Sequence, residues 1–144
     1  MAMRYLLDTN VVSELTKPRA NPGVLQALAQ HEGDCAICAP TLEELVFGCH
    51  RLPPSARRDW LLRWLQGLPM RLPVLSFDQP AAAWLGAERA RLAALGRPAP
   101  RTDSEIAAVS VSQRLTLVTH KQRDFAVFDG LSLADWHVVA GPIP

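Results

Sequence analysis

The chain predicts a single α/β domain in three layers, α/β/α, with helices on both faces of a mainly parallel sheet, and three observations carry that reading. Short apolar runs alternate with stretches of helical periodicity, the pattern of a parallel sheet covered on both sides. A length of 144 residues suits one domain spanning 1–144, long enough to bury roughly 70% of the surface an unfolded chain exposes. With 49% hydrophobic and 20% charged residues, the composition is that of a folded globular protein and excludes a largely disordered one.

The first strand is predicted at 4–7, where the apolar run Met3-Arg4-Tyr5-Leu6-Leu7 ends on Asp8, and short helices follow at 11–16 and 22–31. A second strand at 34–38 contains Cys35-Ala36-Ile37-Cys38. Residues three apart on a strand point to opposite faces, so these thiols do not meet. Three cysteines in all support neither a disulfide framework nor a zinc site built from cysteine pairs.

In the helix predicted at 41–50, Leu42, Leu45, Val46 and Cys49 form the buried face and Glu44 lies opposite. Gly48, one turn on, shares the side of Glu44. Glycine there costs about 1 kcal/mol of helix propensity relative to alanine, which implies a close approach by another group. The next helix, 55–68, carries Arg57, Trp60, Leu61, Trp64, Leu65 and Leu68 at spacings of three and four. Its tryptophans serve either the core or the centre of an interface.

A strand at 72–75 and a helix at 80–95 come next. Gly96-Arg97-Pro98-Ala99-Pro100-Arg101 reads as an extended loop within the domain, because strand and helix patterns resume beyond it. The helix at 103–113 is apolar on nearly every side and is predicted to be buried. Strands at 116–119 and, more weakly, 132–134 complete the sheet.

A net charge of +1, from 15 Lys+Arg against 14 Asp+Glu, gives no general pull on nucleic acid, so a polyanion has to be held locally. No apolar stretch is long enough to span a bilayer, and the N-terminus lacks a basic segment followed by an apolar block. A cytoplasmic protein without membrane association is expected.

Four acids stand out by position. Asp8, Glu44, Asp103 and Asp124 each lie within a few residues of a strand end or helix start, on what should be one edge of the sheet, where open α/β sheets build ligand sites. Glu44, Asp103 and Asp124 also have ordinary structural explanations. Thr41 and Glu44 have the spacing of a capping box, as do Thr102 and Glu105; Asp103 suits a helix dipole; Asp124 suits a turn or an arginine partner. Taken together, clustered carboxylates repel one another unless a cation compensates. Oxygen-only donors suit Mg²⁺ or Mn²⁺, which activate water and stabilise charge at phosphorus, so the predicted chemistry is phosphodiester hydrolysis.

The residues that carry this pattern also resemble a known family. Leu6-Leu7-Asp8-Thr9-Asn10, the helix Thr41-Leu42-Glu43-Glu44-Leu45 with Gly48, the Gly96-Arg97-Pro98 loop leading to Asp103, Ile106, Ala107 and Ala108, and Leu117-Val118-Thr119 followed by Arg123-Asp124-Phe125 are similar to PIN-domain ribonucleases of the VapC and FitB toxin type. Order and spacing agree over 4–136. The resemblance implies a PIN-like fold and a metal-dependent endoribonuclease acting as the toxin of a type II toxin–antitoxin pair. It implies that Asp8, Glu44, Asp103 and Asp124 hold one or two Mg²⁺ or Mn²⁺ ions, with Thr9, Asn10 and Thr119 orienting them. It further implies an RNA substrate, a homodimer, and a cognate antitoxin covering the acidic cleft. At Thr119-His120-Lys121 the sequence departs from the family, which more often carries threonine, arginine and asparagine. Lys121 is read as a candidate fixed cation beside the carboxylates, able to contact the scissile phosphate or to reduce the need for a second metal. His120, on a loop, reads as a solvated surface residue rather than a general acid, and Glu14 and Glu105 are further acids without an assigned role.

Two other readings fit parts of the pattern. A phosphoacceptor receiver domain is also a small parallel α/β protein with a late threonine and lysine, but it needs an acid ending its central strand, and Val74-Leu75-Ser76 supplies none before Asp78. A catalytically silent relative that only binds partners would keep the fold and lose metal uptake.

Overall fold

The computed structural model describes residues 3–139, so Met1, Ala2 and 140–144 of the predicted domain lie outside the described residues. One sheet holds β1 (Tyr5–Leu7), β2 (Cys35–Cys38), β3 (Val74–Leu75), β4 (Thr116–Val118) and β5 (Ser132–Ala134), in the order β3-β2-β1-β4-β5. Every neighbouring pair is parallel. The helices are α1 (Thr9–Val12), running into a 3-10 turn at Ser13–Thr16, then α2 (Pro22–Gln30), α3 (Ala39–His50), α4 (Ala56–Arg71), α5 (Gln79–Ala94), α6 (Arg101–Ser112) and α7 (Gln122–Phe125).

Alternation along the strands divides the core in two. Leu6, Ala36, Cys38 and Leu117 pack with Leu85 and Leu92 of α5, Ile106 and Val109 of α6, and Phe125 of α7. Leu7, Cys35, Ile37 and Val118 pack on the other side with Val11, Val12, Val24, Leu65 and Leu68. The sheet is thus covered on both faces, as the sequence predicts. Cys35 and Cys38 fall in opposite clusters and stay free, and burial pushes the Cys35 thiol up to about 11, which leaves it inert.

Several helix starts differ from expectation, each for a local reason. α1 begins at Thr9 because Asp8 is extended and caps it, its carboxylate accepting the Thr9 N–H. α3 begins at Ala39 with Pro40 in its first turn, where a missing N–H loses no helical bond. Thr41 is therefore inside the helix, the Thr41–Glu44 capping box does not form, and the Thr41 hydroxyl lies 3.4 Å from Cys38 Sγ instead. α6 likewise starts at Arg101, so Thr102 caps nothing and Glu105 pairs with Arg101 at 3.5 Å. α7 was not predicted, being too short to show a period.

The strand order turns at β1. The chain lays β2 and β3 on one side, then returns to place β4 and β5 on the other, which makes the C-terminal ends of β1 and β4 a topological switch point. A receiver domain has the order 2-1-3-4-5 and is excluded by this topology. Val74-Leu75 forms the edge strand β3, not the central strand expected there, and the central strand, β1, does end in an acid.

Two tethers fix the periphery. Beyond β5 the chain crosses the start of α2, where a Cβ on Gly23 would fall 2.4 Å from the Trp136 carbonyl oxygen, so glycine is required. The Asn21 amide donates to the Val138 carbonyl at 3.0 Å and accepts its N–H at 3.1 Å. On the opposite side, buried Glu88 accepts from Arg91 Nε at 2.6 Å, Arg91 Nη2 at 2.8 Å and the Asp129 N–H at 2.6 Å. The Arg91 hydrogen bond is the main cause of a Glu88 carboxyl held below its ordinary value. A depressed folded-state value means this stabilisation is complete above the unfolded value near 4.5 and is lost as pH falls through the folded one. Glu88→Gln is expected to lower the melting temperature at neutral pH, with the gap from wild type closing in acid; a gap independent of pH would remove the ion pair from the account.

Candidate active site

Asp8 occupies the switch point. It follows β1 directly, its N–H donates to the Val118 carbonyl of β4 at 2.9 Å, and only 2% of its surface is exposed. The carboxylate is fully partnered: Oδ1 accepts the Thr9 N–H at 2.8 Å, and Oδ2 accepts Asn10 Nδ2 at 2.9 Å and the Thr119 hydroxyl at 2.7 Å. Burial raises its carboxyl above the ordinary value; Thr119, the Thr9 amide and Lys121 pull it down, and Asp103 adds to the rise. An acid that is expensive to ionise is thus held by three donors in a fixed orientation.

Asp103, in the first turn of α6, is also buried, and Lys121 Nζ donates to its Oδ1 at 3.2 Å and Oδ2 at 3.3 Å. Lys121 stands just before α7. Its partial burial disfavours the charge, but Asp103, Asp8 and Asp124 outweigh this and hold the ammonium above its ordinary value. Asp124, on exposed α7, belongs to the same electrostatic cluster. Glu44 joins through Thr9, whose hydroxyl donates to Glu44 Oε1. The four predicted acids therefore share one rim. They do not converge on a point, since among the described residues no three of them bring their oxygens within 4.8 Å of one another.

Thr9, Asn10 and Thr119 each donate a hydrogen bond to the Asp8 carboxylate. Thr119 is fully buried after β4, and its Oγ1 also accepts the Lys121 N–H at 3.0 Å. Asn10 links three groups, donating to Asp8 and to Thr119 at 3.3 Å while accepting the His120 N–H at 3.0 Å. Glu14 and Glu105 lie outside the cleft: Glu14 binds Lys17 Nζ at 2.8 Å and the Asn21 N–H at 2.8 Å, which holds its carboxyl low, and Glu105 pairs with Arg101. Sequence reasoning missed Gln122, whose Nε2 donates to the Thr119 carbonyl at 2.7 Å and the Ala134 carbonyl at 3.2 Å, closing the ends of β4 and β5. Nothing in its sequence context marks that role.

An apolar groove of about 260 Å³ adjoins Glu44 and runs between α3 and α4, lined by Leu45, Cys49, Leu52, Leu61, Trp64 and Leu65. Gly48 lines it too. Beyond its own turn of helix, no atom among the described residues comes within 4 Å of where its Cβ would stand, so none of them makes the close approach expected there. On α4, Leu65 and Leu68 enter the core, while Trp60 stays 42% exposed beneath the Arg57 guanidinium, 5.1 Å from the ring centre.

A parallel sheet with a buried acid at its switch point, two further acids around a lysine, and a fourth tied in through Thr9 defines the class: an α/β domain with an acidic cleft. The PIN domain family matches residues 5–131. A tRNA(fMet)-specific endonuclease VapC of Shigella flexneri is 32% identical over 134 residues, covering 93% of this chain and 98% of its own length. The toxin FitB of Neisseria gonorrhoeae is 30% identical, covering 92% and 98%. Among solved structures, the DNA-bound VapBC complex of Salmonella typhimurium superposes with a TM-score of 0.81 at 30% identity, covering 93% of this chain and 98% of the matched one. The chain belongs to the PIN-domain family, in its VapC and FitB branch.

Proposed function

We propose that this protein is a metal-dependent endoribonuclease that hydrolyses RNA phosphodiester bonds, and the toxin of a toxin–antitoxin pair. The observation that carries the reading is Asp8, buried at the switch point, locked by Thr9, Asn10 and Thr119, and facing Asp103 and Lys121, with Asp124 beside Lys121. The donors fit a hard divalent cation: all are carboxylate oxygens, and the burial of Asp8 and Asp103 penalises their charge unless a cation balances it. Asp8, Asp103, Asp124 and Glu44 would hold Mg²⁺ or Mn²⁺. Such an ion supplies an activated water and charge stabilisation at phosphorus.

The chain's own residues do the rest. Thr9, Asn10 and Thr119 fix the direction of the Asp8 oxygens, so no reorientation is needed when substrate arrives. Lys121 neutralises Asp103 and, with 43% of its side chain exposed, can reach a phosphate oxygen of RNA. The groove beside Glu44 gives the cognate antitoxin an apolar seat from which to cover the cleft, and exposed Trp60 offers contact area for a homodimer. No helix among the described residues is long and apolar enough to cross a membrane, and the reading places the protein in the cytoplasm with its RNA.

The test is cleavage of tRNA and total RNA by purified protein, with ends mapped, in Mn²⁺, in Mg²⁺, in chelator, and with the antitoxin added. Discrete ends that need the cation and vanish with the antitoxin are expected. Cleavage that persists in chelator overturns the metal requirement, and no cleavage together with no saturable Mn²⁺ uptake identifies a silent relative. Thr119→Val keeps the shape of a buried side chain and removes one donor from Asp8. It is expected to weaken Mn²⁺ binding by about 10–100-fold by calorimetry, and unchanged affinity would remove Thr119 from the site.

A further inference from the structure

We propose that His120, Asp135 and His137 form a second metal site, for Zn²⁺, separate from the acidic cleft. The fold brings them together at the end of the sheet. β4 and β5 run parallel with Val118 opposite Ala134, and the Thr119 N–H donates to the Ala134 carbonyl at 2.9 Å, so the residues after each strand emerge side by side. Asp135 then faces both imidazoles, with Oδ2 3.0 Å from His120 Nδ1 and Oδ1 3.3 Å from His137 Nδ1. The rings stack with centroids 4.2 Å apart. One ligand atom from each residue lies within 4.8 Å of the other two. A tetrahedral ion with bonds of about 2 Å spaces its ligands roughly 3.3 Å apart, so modest side-chain rotation closes this set on one cation.

His137 supplies an independent argument. Its side chain is only 11% exposed, yet Nδ1 has no hydrogen-bond partner among the described residues. Nε2 faces Glu14 Oε2 at 3.7 Å, and Glu14 is itself anchored by Lys17 and the Asn21 N–H. Metal-binding histidines commonly face a carboxylate with the ring nitrogen that does not bind the ion, and Glu14 stands in that place for Nε2. Nδ1 and Asp135 Oδ1 lie 3.3 Å apart with no hydrogen bond between them, and a cation bound by both gives each the partner it lacks in the other. Two imidazoles with one carboxylate suit Zn²⁺ rather than Mg²⁺. The His120 side chain is 59% exposed, which leaves the fourth position open to solvent.

The site is coupled to the cleft without sharing a ligand. The His120 N–H donates to Asn10 Oδ1, and Asn10 Nδ2 donates to Asp8. Occupancy fastens the turn after β4 to the segment after β5, next to the hydrogen bonds that orient Asp8. The site stands whether or not the cleft cuts RNA.

The experiment uses the full chain without a histidine tag, in millimolar Mg²⁺, titrated with Co²⁺ as a spectroscopic probe and then with Zn²⁺ as competitor. One equivalent of Co²⁺ with visible bands of a four-coordinate ion, displaced by Zn²⁺, is expected. Affinity should fall at least tenfold in His120→Ala and in His137→Ala and stay unchanged in Asp103→Asn. Circular dichroism checks each fold; if His137→Ala unfolds, His120→Ala decides, because its ring is exposed. Absence of the four-coordinate bands, bands that survive His120→Ala, or bands lost in Asp103→Asn with the histidines intact would each overturn the proposal.

Discussion

Asp8→Asn is expected to abolish RNA cleavage, lowering kcat/KM by at least about 10²-fold, while circular dichroism and a single cooperative melt remain. The carboxylate receives donors from Thr9, Asn10 and Thr119, and an asparagine in its place keeps at most one oxygen and sets an NH₂ group against those donors. It also removes the negative charge that faces Lys121. The backbone of residue 8 stays in the sheet through the Val118 carbonyl, so folding survives. Asp103→Asn is expected to give the same loss by freeing Lys121 from its partner. Full activity in either variant would remove the mechanism.

The second large effect is on stability. Phe125→Ala should cost about 3–5 kcal/mol, measured as a drop in the denaturant midpoint with an unchanged slope. Phe125 is fully buried, packs with Phe128 at 6.0 Å between ring centres, and lies 5.6 Å beneath Lys121 Nζ. α7 has only four residues, so this ring, not helix propensity, holds it down. Losing it should also displace Asp124 and Lys121 and reduce activity. Asp124→Asn separates the two roles: the residue is exposed, so stability should change by no more than about 0.5 kcal/mol while cleavage falls. A Phe125→Ala protein with wild-type stability would refute the packing account.

The sheet and its order of elements were legible because each strand is a short apolar run bounded by turn residues, and burial on both faces makes such runs conspicuous. Asp8 and Asp103 were legible because parallel topology gathers strand ends and helix starts on one edge, and Thr119 through the family resemblance. Helix starts were not, since Pro40 and Pro100 begin their helices earlier than the threonines that mimic caps. α7 and Gln122 were invisible because a four-residue helix has no period and a side-chain amide closing two strands depends on long-range geometry. Asp135 and His137 escaped notice for the same reason: only the pairing of β4 with β5 brings them to His120. Glu44 was placed on the correct helix, but the cap its spacing from Thr41 allows does not form; it receives the Thr9 hydroxyl instead.

The peptide unit of Asp8 is spliced into two ladders at once, its amide into the sheet at Val118 and its carbonyl into α1 through Val11 and Val12 at 3.0 and 3.2 Å. Deuterium uptake at Asp8 and Thr119 should accordingly match the slowest amides of the molecule, exchanging only through global opening. Warming would then extinguish turnover and tertiary structure in one step, leaving no softened intermediate in which the scaffold outlives its chemistry.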